Sequence, residues 1–227
     1  MIEQIKKELN KKADKEKAKL LARFFKTGKG EYGEGDIFIG IKVPEQRLIA
    51  KMFKEASFDD LSILIKSKIH EYRMTALFIL IFKYAENKEK CFNFYIKNIK
   101  TINNWDLVDL SAPKIIGEYL LDKDREILYD FARSKDLWKK RIAIISTFTF
   151  IRQNDFKDTL KISEILLKDK HDLIHKAVGW MLREIGKRNI DIEIQFLNKY
   201  YKEMPRTMLR YAIEKFPETK RKEFLSR

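Results

Sequence analysis

Apolar residues recur at three- and four-residue spacing along almost the whole chain, with lysine, glutamate and other polar residues between them. This is the period of an amphipathic helix, not of a half-buried strand. Ile2, Ile5, Leu9, Ala13, Leu20, Leu21, Phe24 and Phe25 follow it, so the first segment, 1–27, reads as one helix. It should stop at Thr27-Gly28, where glycine supplies a C-terminal cap. Residues 28–43 form the one long connection, and Pro44 suits the first turn of the helix that follows.

From residue 44 to 227 the pattern repeats. Ala76, Ala112, Ala143, Ala177 and Ala212 sit in successive apolar stretches, at separations of 36, 31, 34 and 35 residues. Each stretch follows a second apolar segment, such as 58–67, 91–99, 125–133 or 160–168. Helix pairs at this interval define an α-solenoid, in which each pair buries its apolar face on its neighbours. The window 142–151 is rich in β-branched residues and by propensity could be a buried strand. Its place in the repeat and the lack of a strand partner predict an inward-facing helix. The expected fold is all-α, with a single domain over 1–227.

Composition agrees with helices. Eight glycines and four prolines, five of the glycines within 28–40, leave too few turn residues for an all-β chain of 227 residues. Hydrophobic residues at 44% and aromatics at 12% exclude a disordered tail. A domain of this length buries roughly 70–75% of its unfolded surface and needs neither disulfide nor structural metal. Cys91 is the single cysteine, so it has no intramolecular partner. The longest uncharged stretches, 74–82 and 142–151, fall well short of the ~20 residues of a membrane span. The charged N-terminal run MIEQIKKELNKKADKEKAK has no apolar core of a signal peptide. The expectation is a soluble cytoplasmic protein that stays off membranes. A net charge of +14 makes nucleic acid the first partner to consider, although a lysine-rich proteome gives the same excess.

Candidate chemistry is sparse. Gly28, Gly30 and Gly33 match G-x-G-x-x-G, but they follow a helix instead of a strand, and Glu31, Glu34 and Asp36 would repel phosphate. An ordered connecting loop is the expectation there. His171 and His175 are four apart, yet no glutamate completes a zinc motif, and with His70 they read as surface histidines. Cys91 reads as a small core residue. No nucleophile elbow and no Walker loop occurs. There remain Trp105, Asp106, Asp109, Trp138, Arg141, Trp180 and Arg183, with the tryptophans at repeat boundaries or starts. On a helix, Trp105 and Asp109 share a face, and Asp106 suits a helix N-terminus. Spacing alone favours tryptophans as core and acids as caps.

At these residues the chain resembles the AlkD family of DNA alkylation repair proteins, HEAT-like-repeat DNA glycosylases. The resemblance rests on Asn104-Trp105-Asp106-Leu107-Val108-Asp109, on Trp138-Lys139-Lys140-Arg141-Ile142-Ala143, and on Lys176 through Glu184. The stretch from Arg23-Phe24-Phe25-Lys26-Thr27-Gly28 through Tyr32-Gly33-Glu34-Gly35-Asp36 to Gly40-Ile41-Lys42-Val43-Pro44-Glu45-Gln46-Arg47 is typical of one branch. The resemblance implies a superhelical stack of HEAT-like repeats whose concave basic face cradles duplex DNA. It implies a monofunctional, cofactor-free and metal-free glycosylase that hydrolyses the N-glycosidic bond of cationic purines such as N3-methyladenine and N7-methylguanine. Asp109 matches the family's catalytic carboxylate, Trp105 and Trp180 its sugar-contacting aromatics, and Arg141 its phosphate-contacting arginine. The lesion need not be flipped into a pocket, and a monomer suffices. Where some members carry a tyrosine in the first helix, this chain has Phe24 and Phe25. The alternatives are a non-catalytic module for damaged or structured nucleic acid and a protein-interaction scaffold.

Overall fold

Helices form almost wherever the apolar period runs. The computed structural model describes residues 1–226, and β pairing among them is limited to an isolated parallel bridge between Ile37 and Ile69. The chain packs as two compact units, Met1–Ser111 and the remainder from Ala112.

The first unit holds α1 (Ile2–Lys11), α2 (Lys15–Phe24), α3 (Val43–Met52), α4 (Phe58–Leu64), α5 (His70–Lys83), α6 (Lys88–Lys97) and α7 (Trp105–Ala112). The segment 1–27, expected as one helix, is therefore two. Asp14 breaks it: its carboxylate accepts from the backbone N–H groups of Glu16 and Lys17, both at 3.1 Å, and so starts a new helix. The end of α2 also differs from expectation. Lys26, not Gly28, takes the left-handed backbone (φ 52°), and Thr27 N–H reaches back to the Ala22 carbonyl. Glycine is required instead at Gly40, where φ is +86° and a Cβ would lie 2.1 Å from the Asp14 carbonyl oxygen. Helix α5 packs against α3, α4 and α6, and eleven of its fourteen residues are buried.

The second unit holds α8 (Glu126–Arg133), α9 (Leu137–Ser146), α10 (Phe148–Arg152), α11 (Lys157–Leu166), α12 (Asp172–Gly186), α13 (Ile190–Tyr200), α14 (Arg206–Ala212) and α15 (Glu218–Leu225). Helices α9, α12 and α14 pack in one row, while α8 and α11 form a second row that covers it. The window 142–151 is helical, as its place in the repeat predicts, but a turn at Thr147 divides it between α9 and α10. Ile142, Ile144 and Ile145 are fully buried, each worth about 1.5–3 kcal/mol. Ala76, Ala112, Ala143, Ala177 and Ala212 all fall in helices and are at most 1% exposed. Small side chains there let neighbouring helices of the same unit approach closely.

Candidate functional site

Helix α7 opens on Trp105, whose backbone N–H is held by the Asn104 side chain at 2.8 Å. Trp105 and Asp109 are both half-buried, one turn apart. Trp105 stacks on Phe25 (5.0 Å between centroids, 19° between planes) and meets Phe24 edge-on at 5.9 Å. It is thus part of an aromatic cluster that α2 completes. Burial holds the phenol of Tyr95 protonated, with the charge of Asp109 acting in the same direction, while Ser111 at 3.0 Å opposes it by hydrogen bonding.

Asp106 stands in the first turn of α7, as its position suggests, and its carboxylate also reaches beyond the helix. One carboxylate oxygen accepts from Leu107 N–H at 2.8 Å, and the other meets His70 Nε2 at 2.9 Å. His70, expected at the surface, is 2% exposed. Its Nδ1 lies 3.2 Å from Asp36, which also binds Arg73 at 2.7 Å, and its ring stacks on Phe38 at 4.4 Å. Burial opposes a charge on His70, but Asp106 and Asp36 outweigh it and raise the imidazole pKa. Burial likewise opposes charge on Asp36, but His70 and Arg73 keep its carboxyl below the usual range. Two acids, a histidine and an arginine therefore tie the glycine-rich loop, α5 and the start of α7 together. The motif H-E-Y-R at the start of α5 was a signal for this clamp, but only folding shows which acids reach it.

The loop folds onto its own carboxylates. Gly28 N–H donates to Glu31 at 2.9 Å and Gly30 N–H to Glu34 at 2.8 Å, so the amides that would cradle a phosphate are already engaged. Fully buried Glu71 accepts from Ile39, Gly40 and Ile41 backbone N–H groups at 2.8–3.3 Å. Beside this loop a cavity of about 420 Å³ opens among Leu21, Phe25, Phe38, Ile41 and Gln46.

In the second unit, Arg141 on α9 is 5% exposed and donates to the Leu173 carbonyl at 2.5 Å. Trp180 lies in the middle of α12, not at a repeat start. Its Nε1 donates to Glu184 at 3.0 Å, and its ring meets Phe148 at 5.9 Å. Trp138 is half-buried in the first turn of α9. Arg183 pairs with Glu214 and Glu184. His171 is engaged in capping α12 by accepting from Leu173 N–H at 3.1 Å, and His175 binds the Asp169 carbonyl at 2.6 Å. Among the described residues no cluster of three or more His, Cys, Asp or Glu could hold a metal ion, and no helix is long and apolar enough to cross a membrane.

The helix rows are those of a helical-repeat fold, and solved structures of that class superpose on the chain. One titled a predicted DNA alkylation repair enzyme from Enterococcus faecalis matches with a TM-score of 0.76 at 17% identity, covering 91% of this chain and 98% of its own. The family model described as DNA alkylation repair enzyme matches residues 5–216. The chain belongs to that family. No curated protein matches it.

Proposed function

We propose that the protein is a monofunctional DNA glycosylase that removes positively charged alkylated purines, such as N3-methyladenine and N7-methylguanine, from duplex DNA. The observation that carries this reading is Asp109, half-buried one turn beyond Trp105 on a helix whose start is clamped by buried ion pairs. An alkylated purine is already a cationic leaving group, so the reaction needs no strong general acid. As the C1′–N bond breaks, positive charge moves to the deoxyribose. Asp109 stabilises that charge and takes a proton from the attacking water, leaving free base and an abasic site. The π face of Trp105 favours the same cation. In the second unit, Trp180 takes a sugar contact and Arg141 a phosphate contact, as the family resemblance assigns them. The reading takes one copy of the chain, with no cofactor or metal.

The test is release of free base from methylated duplex DNA. Asp109→Asn should retain DNA binding and lose about 10²–10³-fold in release rate. Release at the wild-type rate would remove Asp109 from the mechanism. Tight binding by the wild type without any release would leave a damage-recognition module.

A further inference from the structure

The second unit holds a cavity that the proposed reaction does not use. It measures about 400 Å³ and is lined from the end of α12, the first turns of α13 and the segment that leads into α15. That volume lies within the range of small-molecule pockets. Its accessible apolar wall is aliphatic: Ile190 is 44% exposed, Ile194 is half-buried, and Pro217 is exposed. Phe216 is buried and meets Phe224 edge-on at 6.0 Å, so the wall offers aliphatic chains and not a ring to stack on.

Every ionisable side chain of this lining except Glu193 is a cation: Arg183, Lys187, Lys215 and Lys220. Part of that charge is met from outside the lining. Glu214 pairs with Arg183 and Lys215, and Glu184 pairs with Lys187 and Arg183. Asp191 is exposed and does not line the cavity, and Glu218 is taken up by Lys222. Four cations against two carboxylates leave the cavity positive.

Glu193 is the inner polar group, 1% exposed. Its carboxyl rests on Gly186, where a Cβ would lie 1.7 Å from Oε2, so the residue at 186 must be glycine for the carboxyl to fit. Oε1 is enclosed by protein without a hydrogen bond, whereas Oε2 is not sealed and is the atom that the cavity reaches. Burial keeps the group protonated up to about 8. Nothing beside Oε1 can take that proton's hydrogen bond, so the satisfied form places the hydroxyl on Oε2, pointing to an acceptor in the cavity. A hydroxyl donor, surrounding cations and an aliphatic wall together select an anion with an aliphatic tail. The reachable face of Oε2 is small, which suits the slim planar head of a carboxylate.

We propose that this cavity binds a medium-chain aliphatic carboxylate, its head accepting a hydrogen bond from the Glu193 carboxyl group beside Gly186 and its tail lying on Ile190 and Ile194. The site shares no residue with the machinery assigned to DNA.

The experiment is calorimetric titration of the intact protein at pH 7 with octanoate, butanoate and octylammonium. Octanoate should bind saturably with Kd below about 1 mM. Butanoate should bind at least about tenfold more weakly, since each buried methylene is worth up to about fourfold, and octylammonium should not bind. Absence of saturable octanoate binding, or equal binding of octylammonium, overturns the proposal. Glu193→Gln keeps a neutral donor of the same shape and should retain octanoate. Glu193→Leu, checked for folding by its helical circular dichroism, should weaken it about fivefold, the worth of one hydrogen bond. Ile190→Glu changes an exposed side chain, leaves the fold intact and should abolish binding by setting an acid beside the tail. Unchanged affinity in Ile190→Glu places octanoate elsewhere on the basic surface and overturns the site. Raising the pH from 7 to 9 ionises Glu193 and sets carboxylate against carboxylate. Wild-type affinity should then fall, by up to about tenfold per unit above the Glu193 pKa, while Glu193→Gln holds its affinity. A parallel fall in both would remove Glu193 from the site. No readout involves DNA, so the outcome is independent of the glycosylase reading.

Discussion

Glu71 and Glu193 are both buried carboxylates, at 0% and 1% exposure, and the chain treats them in opposite ways. Glu71 collects three backbone N–H groups and anchors the loop. Glu193, on α13, has no partner for Oε1, and burial pushes its pKa up to about 8, with Arg183 opposing the shift. The unfolded chain loses this proton near 4.5, whereas the folded chain keeps it until about 8. Folded protein therefore holds the extra proton between those values, and stability must fall as pH rises through that window. The slope is at most ~1.4 kcal/mol per pH unit. Urea unfolding from acid to neutral pH should show it, and Glu193→Gln should flatten it. An equal slope in the variant would mean that Glu193 is ionised in the fold. Nothing in the local sequence separates these two glutamates, since each sits in the first turn of an amphipathic helix.

Among the elements, the first turn of α5 has the largest consequence. His70, Glu71 and Arg73 reach the glycine-rich loop, and His70 also reaches α7. The His70 pKa is raised above 6.5, so its stabilisation is present below that value and is lost as pH rises through the folded value. The Asp36 pKa is lowered from 3.8, so its share is present above that value and is lost as pH falls through the folded one. The clamp is complete between them. His70→Gln should cost about 3 kcal/mol near pH 6, because two buried carboxylates lose a cation. The difference from wild type should shrink as pH rises. Hydrogen exchange should speed up at residues 36–41 and 103–107 in the variant. Unchanged protection there would show that α7 is held by packing alone. The helix period of the sequence predicts α5 and α7 but carries no information about this tie, which joins positions thirty or more residues apart.

For the molecule as a whole, the charge of +14 over 227 residues sets how it meets a polyanion. If the proposed DNA binding engages about six to ten phosphates, affinity for undamaged duplex should fall about 10³–10⁵-fold from roughly 50 to 200 mM salt. Fluorescence anisotropy with an undamaged duplex measures it. Weak binding that ignores salt would favour a protein-interaction scaffold. Such a scaffold would keep the helical-repeat fold, because fold by itself does not choose a function.

The sequence by itself determined the helical class, the spacing of the repeats and the family, because each is written in local periodicity or in short runs such as Asn104 through Asp109. Periodicity also placed the core alanines and turned 142–151 into helix against its propensity. Only the tertiary structure decided where 1–27 breaks, because Asp14 competes as a cap and the returning loop lays Gly40 against it. Only the structure, too, took His70 from the expected surface to the interior. Charge pairing between residues far apart in sequence depends on which backbone segments meet, and no local pattern encodes that. The same holds for the cavity beside the loop: its walls come from α2, the loop, α3 and α5, and only their packing makes the space.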